Sequence, residues 1–139
     1  MNDQQIEQEI QAKGLTAPRI TPDDIEANIV HEIYLNAGDA AVAVGVSPGV
    51  DAVGVSPRVE KIIRAADSTY LLTFCVLVLR NGFTVTGESA CASPENFDAE
   101  LGRKIARQNA VQKMWPLMGY ALRERLAAKR AKETSATEN

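Results

Sequence analysis

The stretch that decides the fold is YLLTFCVLVL at Tyr70–Leu79, followed by Arg80-Asn81-Gly82 and by FTVTGES at Phe83–Ser89. The first run is apolar and rich in β-prone residues, and the second alternates apolar with polar residues, as a half-buried strand does. Asn-Gly between two such runs favours a two-residue type I′ turn, because both of its central residues take positive φ. The pattern therefore predicts a β-hairpin over about 70–79 and 83–89.

The predicted turn also sets a register, in which Leu79 pairs with Thr84 and Val78 pairs with Val85. The first strand is apolar on both of its faces, whereas the second has one apolar face and one threonine face. A two-stranded ribbon of this kind is not stable alone in water. We therefore expect the second apolar face to meet a helix, another strand or a second subunit, and we expect a homo-oligomer.

Two helices are predicted on either side of the hairpin. Thr21-Pro22-Asp23-Asp24 supplies an N-cap, a proline at the first helical position and two carboxylates near the positive end of the helix dipole. Apolar residues at helical spacing extend this helix over 22–36. Ser93-Pro94-Glu95 begins a long C-terminal helix over 94–130, and Pro116 should kink it. The class is α+β, with the hairpin packed against both helices.

The region between the first helix and the hairpin is a Val/Gly/Pro-rich insertion at 40–59. The sequence AVGVSPGV at 43–50 reappears as AVGVSPRV at 52–59, which indicates a local tandem duplication. Its glycines and prolines favour a loop or a weak edge hairpin. With 139 residues, we expect a single domain over 1–127 and a polar, flexible tail at 128–139.

Composition excludes several classes of protein. Apolar residues make up 45% of the chain and the net charge is −3, so the chain is globular and does not coat nucleic acid by charge alone; DNA binding is not expected. No apolar run reaches the ~18 to 20 residues that span a bilayer, so no membrane partner is expected. The polar, acidic Met1–Glu9 is unlike a signal peptide. We expect a cytoplasmic protein with Cys75 and Cys91 as free thiols.

Residues for catalysis are few. His31 is the only histidine, and together with two separated cysteines it gives no zinc-ligand spacing. The chain also lacks a phosphate loop, a dinucleotide fingerprint and a serine elbow. We therefore expect no metal, no cofactor and no catalytic residue. The alternative is a small enzyme of nucleotide or nucleic-acid metabolism that uses Cys91, Glu88 or Asp98, because a thiol near a helix N-terminus can have a lowered pKa.

Residues for binding are better represented. Three basic residues occupy one sector of the C-terminal helix. This sector is either a solvated face with a Glu100–Lys104 pair, or a basic pocket for a phosphate-bearing ligand that forms across a dimer. Two polar residues flank the hairpin, and Tyr120 could stack on a base. The candidate ligand-binding residues are Asn81, Glu88, Arg103, Lys104, Arg107 and Tyr120.

Several stretches carry a family resemblance: Ile20-Thr21, Leu79–Ser89, Asn96–Ala106, Trp115-Pro116 and Gly119-Tyr120. In these stretches, over roughly residues 15–127, the chain resembles small tailed-phage and prophage proteins catalogued by gene number (the gene-49/gene-66 type). The resemblance implies a phage-encoded protein that acts in the infected bacterium and is dispensable for building the particle. It assigns no role to any residue.

The resulting hypothesis is a phage accessory protein, for host takeover or anti-defence, in the cytoplasm of the infected host. It would act by non-covalent binding, without being an enzyme. Its partner would be either an anionic, nucleotide-like signal that it sequesters or a host protein that it blocks. The alternatives are the small enzyme described above and a phage structural or assembly protein.

Overall fold

The computed structural model describes residues 2–45 and 54–137. In these residues the predicted α+β class is confirmed. The chain divides into two compact units, unit 1 with residues 1–29 and 112–139 and unit 2 with residues 30–111. A single domain over 1–127 stays a prediction. The elements are α1 (Asp3–Ala12), α2 (Pro22–Asn28), β1 (Ile29–Asn36), α3 (Ala37–Ala43), α4 (Pro57–Ala66), β2 (Leu72–Leu79), β3 (Thr84–Ala90) and α5 (Ala99–Thr137), with 3-10 helices at Ser68–Leu71 and Pro94–Asn96.

The helix predicted over 22–36 is wrong in its second half. It begins as expected, with Thr21 accepting a hydrogen bond from the Asp24 backbone N–H, but it ends at Asn28. Residues 29–36 form β1, which joins the hairpin in an antiparallel sheet with the order β1-β2-β3. This segment is rich in β-branched and aromatic residues, and pairing with an apolar neighbouring strand outweighs a spacing that also fits a helix.

The predicted hairpin is present, but its register is shifted by one residue. Val78 pairs with Thr84 and Leu77 pairs with Val85. The loop has three residues, because the Leu79 N–H donates to the Phe83 carbonyl at 2.9 Å. Gly82 takes φ +87°, while no non-glycine residue described has positive φ, which excludes the type I′ turn. A three-residue loop with its glycine in the left-handed region is the alternative open to an Asn-Gly sequence.

The shifted register determines which face of the hairpin is buried, since a slip of one residue exchanges the faces. Cys75, Leu77 and Val85 now share a buried face, which packs against the first part of α5. The approach is close, because a Cβ at Gly87 would overlap the Ala106 carbonyl and the Ala110 backbone nitrogen. The buried apolar residues of unit 2 are Tyr70, Leu71, Cys75, Leu77, Leu79, Val85, Ala106, Ala110 and Val111.

The loop or weak edge hairpin predicted over the repeat at 43–59 is wrong at its C-terminal end, where the chain forms a helix. Residues up to Ala43 belong to α3, and the second copy of the repeat begins α4, where Ser56 is the N-cap and Pro57 the first helical residue. Serine followed by proline is a typical helix start. Positions 46–53 of the predicted insertion lie outside the described residues.

The C-terminal helix begins later and ends later than the predicted 94–130. Pro94–Asn96 forms a separate 3-10 turn, and Asp98 caps α5 by accepting a hydrogen bond from the Leu101 N–H at 3.0 Å. The helix continues through Pro116 to Thr137, so the predicted tail is helical over 128–137. Its residues are mostly good helix formers, which favours continuation of the helix. The kink at Pro116 and the mobility of the tail stay predictions.

Unit 1 contains α1, α2 and the second part of α5. The Asp3 carboxylate accepts a hydrogen bond from the Trp115 indole at 3.1 Å, so it ties α1 to α5. Glu7 accepts two hydrogen bonds from Arg19, at 2.5 and 2.6 Å, which tie α1 to the segment before α2. These polar contacts help to hold the N-terminal part of this unit.

Candidate functional site

A cavity lies in unit 2 beside α4, and we call it the α4 cavity. Its volume is about 560 Å³. Small-molecule sites usually measure ~300 to 1,000 Å³ and are mostly apolar. The α4 cavity is mostly apolar as well, and its two cationic side chains are balanced by two carboxylates. The lining residues are Pro57, Glu60, Lys61, Ile62, Arg64, Leu71, Pro94, Glu95 and Phe97.

The walls of the α4 cavity follow from local sequence signals. The Ser56-Pro57 start places the first turn of α4 at the rim. At the other side, Pro94 begins the short 3-10 turn, and the chain leaves this turn extended at Phe97, with φ −67° and ψ 125°. Because α5 starts only after Phe97, this ring lies in an irregular segment and not on a helix face.

A second cavity in unit 2 is smaller and more polar, and we call it the Arg103 cavity. Its volume is about 270 Å³. It holds two guanidinium groups and one carboxylate, together with hydroxyl and amide groups. Arg64 and Phe97 line this cavity and also the α4 cavity, so the two cavities adjoin at these side chains. The lining residues are Tyr34, Leu35, Asn36, Asp39, Arg64, Thr73, Phe97, Ala99 and Arg103.

Arg64 is held in place between the two cavities. Its Nε donates to Glu60 Oε1 at 3.0 Å and its Nη2 donates to Asp39 Oδ1 at 3.1 Å. The guanidinium also lies over the Tyr70 ring, 4.8 Å from the centroid, in a cation–π contact. Burial alone would lower the pKa of Arg64, but the hydrogen bonds to Asp39 and Glu60 outweigh burial and raise it. Arg64 is therefore a fixed positive charge.

The three basic residues predicted as one sector of α5 have three different environments. Arg103 lines the Arg103 cavity, and no carboxylate of residues 2–45 and 54–137 forms an ion pair with it. Lys104 forms the exposed pair with Glu100 at 3.4 Å, which is the solvated arrangement foreseen for it. Arg107 pairs with Glu32 at 2.8 Å. Only Arg103 is placed where it could meet a ligand in one of these cavities.

The other predicted binding residues do not line either cavity. Asn81 accepts a hydrogen bond from the Phe83 N–H at 3.0 Å and so stabilises the hairpin turn. Glu88 lies on the exposed face of β3, and its carbonyl accepts from Asn109 Nδ2 at 2.8 Å. Tyr120 belongs to unit 1 and is 70% exposed. The structure thus does not gather the predicted set into one site.

The residues that sequence reasoning missed are the two shared by the cavities. Arg64 had one signal, since Glu60 four residues earlier predicts a helical ion pair, but this pattern says nothing of a cavity. Phe97 lies inside the helix predicted over 94–130, so the sequence gives no sign that it lines a cavity. Two sequence signals indicate that the helix starts after Phe97. Pro94 favours a turn, and Asp98 is a good N-cap residue.

A polar cluster on the buried side of the sheet is built around Glu32. Arg107 donates to Glu32 Oε1 at 2.8 Å, and the Tyr34 hydroxyl donates to Oε2 at 2.9 Å. The hydrogen bond from Arg107 lowers the pKa of Glu32. Burial and the hydrogen bond to Glu32 raise the pKa of Tyr34 to about 12. Burial also raises the pKa of the Cys75 thiol, so this thiol is poorly suited to act as a nucleophile.

The second cysteine has a local partner. The Cys91 thiol donates to the Ser93 carbonyl at 3.1 Å. Asp98, the other acidic residue of the enzyme alternative, caps α5 through its side chain. Within the described residues, no group of three or more His, Cys, Asp and Glu side chains could hold a metal ion. None of the described helices is long and apolar enough to cross a membrane.

Comparison with known proteins identifies the family. The sequence profile of the phage protein (N4 Gp49/phage Sf6 gene 66) family matches residues 20–126, and the chain belongs to this family. This match confirms the resemblance seen in the sequence and makes the chain a phage protein. The matched region begins after α1 and includes every residue of the α4 cavity and the Arg103 cavity. No curated protein and no solved structure matches the chain.

Proposed function

We propose that this phage protein is an accessory protein that binds a small ligand non-covalently in the infected host cell, with the α4 cavity as its site. The observation that carries the proposal is the mostly apolar cavity of about 560 Å³, which lies inside the family-matched region. A cavity of this size and character is the usual form of a small-molecule site.

The chemistry of the walls supports binding rather than catalysis. The apolar lining, which includes Ile62, Leu71 and Phe97, can bury a ligand but cannot transfer protons or attack it. Of the two basic residues that line the cavity, Arg64 is held as a permanent cation by its carboxylate partners and is therefore unsuited to proton transfer. Such walls favour tight, reversible enclosure of a ligand.

Reversible enclosure suits host takeover or anti-defence. A protein that only binds must be made in at least the amount of the molecule that it removes. Sequestration of a signal molecule would then stop a host response without any chemical step. The enzyme alternative predicts turnover of the ligand, and sequestration predicts its recovery unchanged.

Native mass spectrometry of the protein recovered from infected cells tests the proposal. We expect wild-type chains to retain a small molecule. Phe97→Asp should lose it, because a carboxylate would replace the aromatic wall. Ile62→Asp, at a position that is 60% exposed and tolerant of change, should lose it as well and guards against misfolding of the first variant.

The matched control is Phe83→Asp, an exposed phenylalanine in the hairpin that lines neither cavity. This variant should retain the same mass as wild type. Wild-type protein that carries no small molecule would overturn the α4 cavity as the site. Retention of the small molecule by both cavity variants would overturn it as well. Recovery of a chemically altered ligand would support the enzyme alternative instead.

A second candidate is the blocking of a host protein, and the face of the sheet opposite α5 favours it. Glu32 and Tyr34 point to the α5 side, so Ile33 and Leu35 lie on the opposite face, where they are 39% and 43% exposed. The predicted homo-oligomer would use the same face. Light scattering on purified wild type and Ile33→Lys separates the two. If the face forms a homo-oligomer, the mass of wild type exceeds that of the variant; if the face binds a host protein, the two purified proteins have the same mass.

A further inference from the structure

We propose that the ligand is nucleotide-like, with its base against Phe97 in the α4 cavity and its phosphate beside Arg103 in the Arg103 cavity. The inference rests on the proposed function and deepens it by naming the chemical class of the ligand. It follows from two cavities of different chemistry that adjoin at Arg64 and Phe97.

The two cavities differ in the polarity of their walls. A nucleotide joins a flat, weakly polar ring system to a strongly hydrated anion, so its site must offer both kinds of surface. The α4 cavity offers Ile62, Leu71 and the Phe97 ring, and aromatic rings stack well on bases. The Arg103 cavity offers the polar side chains of Asn36 and Thr73. A ligand that passes Arg64 and Phe97 would meet both surfaces.

The Arg103 cavity also differs from the α4 cavity in how its charged side chains are paired. Arg64 neutralises Asp39, at 3.1 Å, and it also pairs with Glu60. The Arg103 guanidinium then remains as an uncompensated cation on the wall of the same cavity. A guanidinium binds phosphate through two parallel N–H donors, which makes arginine the usual residue for this recognition. The Arg103 guanidinium, which pairs with no carboxylate of the described residues, therefore favours an anion at this end.

The junction of the two cavities is preorganised. Arg64 is fixed by two ion pairs and by the Tyr70 ring, and this ring in turn lies against Gly38, where a Cβ would overlap it. The junction of the two cavities is thus formed before any ligand arrives. A preformed site loses less side-chain entropy on binding than a flexible one.

Calorimetric titration separates the base from the phosphate. The probes are the 5′-monophosphates of adenosine, guanosine, cytidine and uridine, the four nucleosides, and inorganic phosphate. We expect at least one monophosphate to bind about tenfold or more tightly than its own nucleoside, which is the usual value of a charge-assisted hydrogen bond. Inorganic phosphate alone should bind more weakly than that monophosphate.

The decisive variant is Arg103→Glu. It should abolish the preference for the monophosphate over the nucleoside and leave the affinity for the nucleoside unchanged. Arg123→Glu makes the same charge change on the same helix, at an exposed position of unit 1, and should preserve the preference. Because Arg103 is exposed, neither variant should affect folding, and thermal unfolding verifies this.

The outcomes also separate this inference from the proposed function. Equal affinity of wild type for monophosphates and nucleosides would overturn the nucleotide assignment, as would equal losses in the two arginine variants. Suppose that no probe binds, while wild type recovered from infected cells retains a small molecule that Phe97→Asp loses. This result would overturn the ligand class and leave the α4 cavity as the site. Retention of the small molecule by Phe97→Asp and Ile62→Asp would overturn the site itself.

Discussion

Two parts of unit 2 are each built around an arginine paired with carboxylates, and they are packed very differently. Arg107 lies in the polar cluster, where both oxygens of Glu32 accept hydrogen bonds and the neighbouring Cys75 is fully buried. Arg64 is paired as well, but it lies between two open cavities with Arg103 nearby. In the first region the arginine and the carboxylate neutralise each other, whereas the second region has two cavities and Arg103, which pairs with no carboxylate of the described residues.

This difference shows that the identity and sequence position of a basic residue do not determine its role. Arg103 and Arg107 are four residues apart on α5, and only the neighbouring strand or cavity distinguishes them. We therefore expect the packed region to determine the free energy of unfolding and the open region to determine ligand binding.

The largest effect is expected where α5 crosses β3. Gly87→Val should lower the free energy of unfolding by ~3 kcal/mol, since added atoms at a close backbone approach force the helix and strand apart. Urea unfolding measures this loss. Thr86→Val, on the exposed face of the same strand, should change it by less than ~0.5 kcal/mol. Similar losses in both variants would show that the packing against α5 is not as close as described.

A smaller effect is expected at Glu32. Its pKa is lowered by Arg107, so its carboxylate contributes stability above its ordinary pKa of 4.5, and this contribution is lost as the pH falls below that value. Glu32→Gln should cost about 1 kcal/mol at neutral pH, a value reduced by the partial exposure of the pair. It should also flatten the loss of stability in acid. An unchanged acid profile in the variant would refute the role of the pair.

The third prediction concerns Tyr34. Its pKa of about 12 means that the hydroxyl stays protonated in the folded protein after an ordinary tyrosine has ionised. The stability that this raised pKa reflects is present below pH 10 and is lost as the pH rises through 12. Ultraviolet titration at alkaline pH should show a late component that Tyr34→Phe removes. A variant that keeps this component would assign it to another tyrosine.

The smallest effect on stability is expected in the open region. Ile62→Ala should change the free energy of unfolding by less than ~0.5 kcal/mol, because the side chain is 60% exposed. The same variant should weaken ligand retention, because it removes part of the apolar wall. A large loss of stability with normal retention would place Ile62 with the packed region and would reverse the comparison.

Much of the fold was readable from local signals. The hairpin, the cap at Thr21 and the α+β class follow from turn and capping chemistry and from hydrophobic pattern. The failures arose where two local solutions fit the same residues: Asn81-Gly82 suits a two-residue turn or a three-residue loop, and the apolar spacing at 25, 29 and 33 suits a helix or a strand. Contacts between residues distant in sequence decide between such alternatives.

The candidate site was less predictable than the fold. Arg103 was found because basic residues on a helix are visible in the sequence, but its separation from Lys104 and Arg107 depends on the position of β1. Arg64 and Phe97 come from segments 33 residues apart, and their shared cavities exist only after packing. Pattern and spacing describe single elements, and a cavity is a property of several elements together.

The most direct test of the account is nuclear magnetic resonance mapping of the compound that native mass spectrometry identifies. Titrated into ligand-free wild-type protein, it should shift the amide signals of residues 57–64 and 94–103 most strongly. The signals of Glu32, Cys75 and Arg107, which line neither cavity, should move little. Shifts centred on that polar cluster, or on unit 1, would contradict the account.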